Sequence, residues 1–132
     1  MKILLAYDGA ESSDRALGMA AQLATRFDAT MGVVSVVPVH AGRVPVDPWD
    51  DRSVHGAELA DAARKLEQLG IRATLHEPAG DPATTIERIA EEHGYDMVVV
   101  GSRGLGPLSR ALQGSVSEHV ATHAKATVVV AR

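Results

Sequence analysis

Cysteine is absent from the 132-residue chain. That excludes a disulfide framework, a thiolate metal site and redox chemistry through thiols. Aromatic residues are scarce: one Trp, one Phe and two Tyr cannot build a base-stacking platform of several rings. Thirteen Lys and Arg stand against seventeen Asp and Glu, a net charge of −4, and the basic residues are scattered. A broad footprint for a nucleic-acid backbone is therefore excluded. No apolar run reaches the roughly 18 residues that a membrane-spanning helix needs, and the opening residues Met1 to Asp8 lack the long apolar stretch of a signal peptide. The expectation is a cytoplasmic protein with neither nucleic acid nor membrane as partner, in which a nucleotide would be gripped mostly by backbone and aliphatic groups.

What is present is an alternation of apolar runs with stretches of helical period, the pattern of a parallel sheet covered on both faces. Ile3-Leu4-Leu5-Ala6-Tyr7 is apolar throughout, as a central strand requires, and ends at Asp8-Gly9. Ala16, Leu17, Ala20, Leu23, Ala24 and Phe27 form one helical stripe, with Ser12 or Ser13 available as N-cap. A second strand over about 30–37 leads into a segment whose Gly42, Pro45 and Pro48 oppose regular structure. A helix over about 51–69, with Leu59, Ala63 and Leu66 inward, stops at Gly70.

Ile71, Ala73 and Leu75 alternate with polar residues, the pattern of an edge strand. Asp81-Pro82 then supplies an N-cap and first-turn proline for a helix carrying Ile86, Ile89 and Ala90 to Gly94. Met97-Val98-Val99-Val100 reads as a second central strand. A helix over about 115–123 and a last strand, Thr127 to Ala131, complete the chain.

Right-handed crossovers with two central strands predict one α/β domain over 1–132: a doubly wound, five-stranded parallel sheet of order 3-2-1-4-5 with helices on both faces. The apolar fifth strand at an edge invites association, so a homodimer through residues 127–131 is expected.

Ligands of such sheets bind outside the carboxyl ends of the strands, where the order reverses, here between the first and fourth strands. Asp8 offers a carboxylate to ribose hydroxyls there. The fourth strand runs into two glycine clusters within residues 101–117, whose backbone N–H groups can converge on an anion. The second cluster opens onto a helix, where free N–H groups and the dipole favour phosphate. Ser115 and Ser117 add hydroxyls, and Arg103 and Arg110 can neutralise a triphosphate.

Gly101, two residues, Gly104, nine residues and Gly114-Ser115 resemble the nucleotide signature of ATP-binding universal stress proteins. The likeness extends to Asp8-Gly9, to residues 33–38 and to Gly80-Asp81-Pro82. It implies a Rossmann-like, stress-response module that binds ATP, accompanied by Mg²⁺ or Mn²⁺. The resemblance places Asp8 at the ribose, the backbone near Val36 and Val37 at the adenine, and Gly101, Gly104, Gly114, Ser115 and Val116 on the phosphate side; Ala6, Tyr7, Val100, Arg103 and Ser117 complete the expected cofactor-binding set. It assigns no catalytic residue, no protein metal ligand and no identified protein partner. Ala124-Lys125-Ala126 stands where many members have Pro-Cys-Pro, so the dimer is expected to differ in detail.

Plainer readings stand beside these. Glycines at strand ends mark turns, Ser115 to Glu118 forms a capping box without a ligand, and Asp8 serves as a turn residue. His119 and His123 share a helix face without a third metal ligand. Trp49 belongs to the proline-rich loop, either over the adenine or as a surface anchor. The rival functions are a slow ATPase or nucleotidyl transferase, for which the 101–117 loop lacks both a Lys and an evident general base, and a dimeric scaffold that binds no nucleotide. A phospho-acceptor domain ranks last, because the third strand ends in His76-Glu77-Pro78 without an Asp.

Overall fold

A computed structural model describes residues 1–9, 11–38, 48–102 and 125–131 of the chain. Five parallel strands form the main sheet: β1 (Lys2–Ala6), β2 (Thr30–Val34), β4 (Ala73–His76), β6 (Met97–Gly101) and β7 (Thr127–Ala131), in the order β4-β2-β1-β6-β7. With the two-residue β3 (Val37–Pro38) and β5 (Ala79–Gly80) set aside, this is the expected 3-2-1-4-5 order. β3 and β5 pair with each other in parallel, Val37 with Ala79 and Pro38 with Gly80.

The centre of the sheet follows from β1, where Ile3, Leu4 and Leu5 are fully buried. Side chains alternate across a strand, so both faces of the sheet must be roofed to exclude water. Each fully buried Leu or Ile contributes about 1.5–3 kcal/mol of transfer free energy. Ile3, Leu5 and Tyr7 face helices α1 (Glu11–Phe27) and α2 (Pro48–Gln68), against Ala16, Ala20, Leu59 and Leu66. Leu4, Ala6, Val98 and Val100 face helix α3 (Pro82–Glu92), against Ile86, Ile89 and Ala90. The α3 cap is as expected: Asp81 accepts a hydrogen bond from the Thr84 amide at 3.1 Å, with Pro82 in the first turn.

Several local expectations are corrected. Helix α1 begins at Glu11, so Ser12 and Ser13 lie inside its first turn rather than before it. Pro48 and Trp49 belong to α2, because a proline fits a helix's first turn, where its missing N–H has no carbonyl partner to lose. Phe27, at the end of α1, is exposed; Asp28 (φ 51°) turns the chain there toward β2. On α2 it is Ala62 that is fully buried, while Ala63 is half-buried. β4 is an edge strand as expected, yet Leu75 is 45% exposed.

Gly32 has a reason that periodicity does not show. A Cβ on it would lie 1.9 Å from the Tyr95 hydroxyl. The absent side chain lets Tyr95 cross β2 and meet His76 Nε2 at 2.8 Å. His93 lies tilted against His76, at 4.6 Å between ring centroids and 52° between planes, and Lys2 Nζ lies 4.8 Å from the Tyr95 ring centre. Burial is the main cause that lowers the His76 pKa, with His93 and Lys2 adding to it.

Candidate functional site

β1 pairs with β2 on one side and β6 on the other, so the strand order reverses between β1 and β6. The ladder continues one residue beyond β1, where the Tyr7 amide donates to the Val34 carbonyl at 3.0 Å. Asp8 follows, half-buried, and is gripped by the helix it precedes: its amide donates to Ser13 Oγ at 3.1 Å, and the Ser13 hydroxyl donates to Asp8 Oδ1. Gly9 then takes φ 80°, a left-handed turn that carries the chain into α1. The reciprocal Ser13 contacts fix the height and rotation of the Asp8 carboxylate at the crevice.

Gly101 ends β6 beside this turn. A Cβ there would stand 2.9 Å from the backbone carbon and oxygen of Ser12 and 3.0 Å from its Oγ. The glycine is what allows the first turn of α1 to lie against the β6 exit. Ser102 then donates its amide to the Ala131 carbonyl at 2.8 Å, tying the same exit to β7.

Sequence reasoning missed three residues beside Asp8. Ser35, just past β2, places Oγ 2.8 Å from His55 Nδ1 and donates to Glu58 Oε2 at 3.2 Å; His55 Nδ1 and Glu58 Oε2 are 3.1 Å apart. Glu58 also lies under the Gly9 turn, its Cγ 3.4 Å from where a Gly9 Cβ would be. Burial is the first cause that raises the Glu58 pKa; Asp8 adds to it, while His55 and Ser35 oppose it. Residue types alone match a nucleophilic triad. The geometry does not, because a triad needs the serine and the carboxylate on opposite ring nitrogens and here both meet Nδ1. The available signal was the His55/Glu58 spacing, which places both on one face of a helix.

Tyr7 belongs to a second network on the α1/α2 side. Its hydroxyl donates to Asp14 Oδ1 at 2.8 Å, with Asp61 Oδ2 at 3.2 Å, and accepts from Lys65 Nζ at 3.1 Å. Lys65 also pairs with Asp14 at 2.7 Å and Asp61 at 3.0 Å. Burial pushes the Tyr7 hydroxyl up to about 12, and hydrogen bonds from Lys65 and then Arg64 pull Asp61 down to about 2. Among the described residues no group of three or more His, Asp and Glu is arranged to hold a metal ion, and no helix is long and apolar enough to cross a membrane.

All 132 residues match the Universal stress protein family. The chain belongs to that family. Universal stress protein YxiE of Bacillus subtilis is 28% identical over 150 residues, covering 99% of this chain and 98% of YxiE. Universal stress protein Rv1636 of Mycobacterium tuberculosis is 31% identical over 137 residues, covering 97% of this chain and 93% of Rv1636. Among solved structures, a universal stress protein from Archaeoglobus fulgidus superposes with a TM-score of 0.82 at 24% identity, covering 100% of this chain and 98% of the other. The A. fulgidus protein in complex with dAMP gives 0.77 at 22%, covering 100% and 98%.

Within this universal stress protein fold, Asp8 and Gly101 are brought together at adjacent strand ends, as expected. Val36 and Val37 lie past the end of β2, in the direction of β5. Ala6, Val36 and Val100 are buried against α3 at 2%, 5% and 3% exposure, which leaves only their backbone to face a ligand. At two of the expected positions the structure shows partners within the chain. The Tyr7 side chain turns away into the α1/α2 core, because odd-numbered residues of β1 point to that face. The Val37 amide is already bonded to the Pro78 carbonyl at 2.8 Å. Arg103, Gly104, Gly114, Ser115, Val116 and Ser117 lie outside the described residues, as do Arg110, His119 and His123.

Proposed function

We propose that this universal stress protein is an ATP-binding regulatory module rather than an enzyme, responding to stress or energy state as a homodimer. The observation that carries the reading is the Asp8 carboxylate, held by Ser13 at the strand-order reversal beside Gly101. An acidic group at that place accepts from ribose hydroxyls. In this reading the backbone around Val36 lies against the adenine. The phosphates meet the 101–117 segment, with Arg103 and Ser115 among its donors, and Mg²⁺ or Mn²⁺ arrives on the triphosphate. Support also comes from universal stress proteins of the same fold solved with cAMP, with dAMP and, from Arabidopsis thaliana, with AMP.

One observation favours a second reading. Gly101 is already required by Ser12, so its presence is explained without a ligand, and a dimeric scaffold without nucleotide is the alternative. Thermal unfolding with and without Mg-ATP separates the two. Ligand at a hundred times its dissociation constant adds ~2.7 kcal/mol. The absence of any shift with ATP, ADP, AMP and cAMP would overturn the nucleotide reading. Phosphate release that survives Gly114→Val would belong to another site; release abolished by it would reinstate a slow ATPase.

A further inference from the structure

Glu58 presents its two carboxyl oxygens to two different places. Oε2 is turned inward, where the Ser35 hydroxyl donates to it at 3.2 Å and His55 Nδ1 lies 3.1 Å away. A neutral imidazole with its N–H on Nδ1 supplies the other proton these contacts need, shared between Glu58 Oε2 and Ser35 Oγ, the latter at 2.8 Å. Oε1 lies instead beneath the Gly9 turn, 3.7 Å from where a Gly9 Cβ would stand. All the hydrogen bonds described for Glu58 go to Oε2. Ser35 is buried, and the His55 and Glu58 side chains are 17% and 20% exposed, so the anchoring contacts are shielded from water. A carboxylate held in this way through one oxygen cannot rotate without breaking its bonds, and Oε1 is kept as an aimed acceptor.

The aim is toward the crevice. Asp8 immediately precedes Gly9, about 3.8 Å away between Cα atoms, and Ser13 fixes its carboxylate there. Two carboxylates from different elements, one at the β1 exit and one on α2, thus border a single turn. Such a pair repels phosphate, and among the described residues no group of three His, Asp or Glu is arranged to hold a metal ion. What it suits is a pair of hydroxyl donors, and a ribose carries two on neighbouring carbons, each able to give its proton to one carboxylate. The base fits Oε1 less well, because the Glu58 oxygen on the Ser35 side, toward Val36, is the one already bonded.

We infer that Glu58 is a second sugar-reading residue: Oε1 accepts one ribose hydroxyl while Asp8 accepts the other, and Ser35 and His55 are positioning residues that aim it. The site thereby selects ribonucleotides over deoxyribonucleotides. The inference rests on the nucleotide reading and names the part of the ligand that α2 recognises.

The test measures binding of ATP, 2′-deoxy-ATP and 3′-deoxy-ATP to the whole chain by calorimetry, with Mg²⁺ and without. Wild type is expected to bind each deoxy analogue roughly tenfold to a hundredfold more weakly than ATP, because each leaves one charged acceptor without its donor. In Glu58→Ala the penalty for one analogue should vanish, while Asp8 keeps the penalty for the other. Glu58→Gln preserves the side-chain shape should the truncation disturb α2. Ser35 and His55 draw its amide oxygen inward, so an NH₂ group replaces the acceptor at the turn, and the same penalty should fall to roughly threefold or less. Ser35→Ala, which loosens the anchor, should lower that penalty and not the other.

Undiminished penalties for both analogues in the Glu58 variants would overturn the inference and leave the nucleotide reading intact. So would a wild type indifferent to both hydroxyls, or a loss in the variants that is equal for ATP and both analogues; an equal loss seen only with Mg²⁺ would assign the carboxylate to the cation. Failure of wild type to bind any of the three nucleotides would overturn both.

Discussion

The Cβ that Gly101 lacks would sit 2.9 Å from the backbone carbonyl carbon of Ser12, so the end of β6 and the beginning of α1 touch through a space only glycine leaves. Backbone cannot swing aside as a flexible side chain can. The contact makes Gly101 a folding residue whatever it does for a ligand.

Gly101→Ala is therefore expected to destabilise the protein without nucleotide by about 1–3 kcal/mol, read as a lower urea midpoint. An unchanged midpoint would show that α1 retreats freely and that Gly101 is retained for other reasons.

Tyr7→Phe removes a fully buried hydroxyl shared by Asp14, Asp61 and Lys65. The Lys65 ion pairs survive the change, so the expected loss is about 1–2 kcal/mol, measured by chemical unfolding. Nucleotide affinity should hold, because the ring faces α1 and α2.

The His76 pKa is lowered in the folded state by burial first, and further by its neighbours His93 and Lys2. The unfolded chain then takes up the proton first as pH falls, so stability tied to this group is present above about pH 6.5 and is lost below it. Melting temperatures of wild type should drop on acidification more steeply than those of His76→Gln. Parallel curves would mean that the Tyr95 contact is insensitive to protonation.

β7 lies at the sheet edge with Val130 40% exposed, whereas Val129 packs against the α1-side core. For a homodimer paired through this edge, Val130→Lys should give monomers in sedimentation with little loss of fold. A persistent dimer would place association on another surface.

The architecture was legible because hydrophobic pattern and crossover handedness leave few alternatives. Ile3 to Tyr7 is apolar without a break, so β1 had to be central, and the alternation after Gly70 put β4 at an edge. Asp81-Pro82 announced α3 by local chemistry, and the cap is present. Boundaries were less legible: the start of α1 and the membership of Pro48 in α2 depend on packing that a sequence window does not contain. Leu75 shows the limit of alternation, because the pattern marks a face but not whether anything covers it.

Residues 8 and 101 could be assigned to one crevice from the chain alone, since strand order and the rule for strand-end ligand sites require only topology. The partners of Asp8 could not. Ser13 reaches it because α1 begins two or three residues earlier than its serines implied, and Ser35, His55 and Glu58 meet through contacts separated by 20 and 23 residues. Periodicity encodes which way a side chain faces, a local property of the backbone. Which groups touch across elements is decided by helix placement to within an ångström, and that is settled only when the whole core packs.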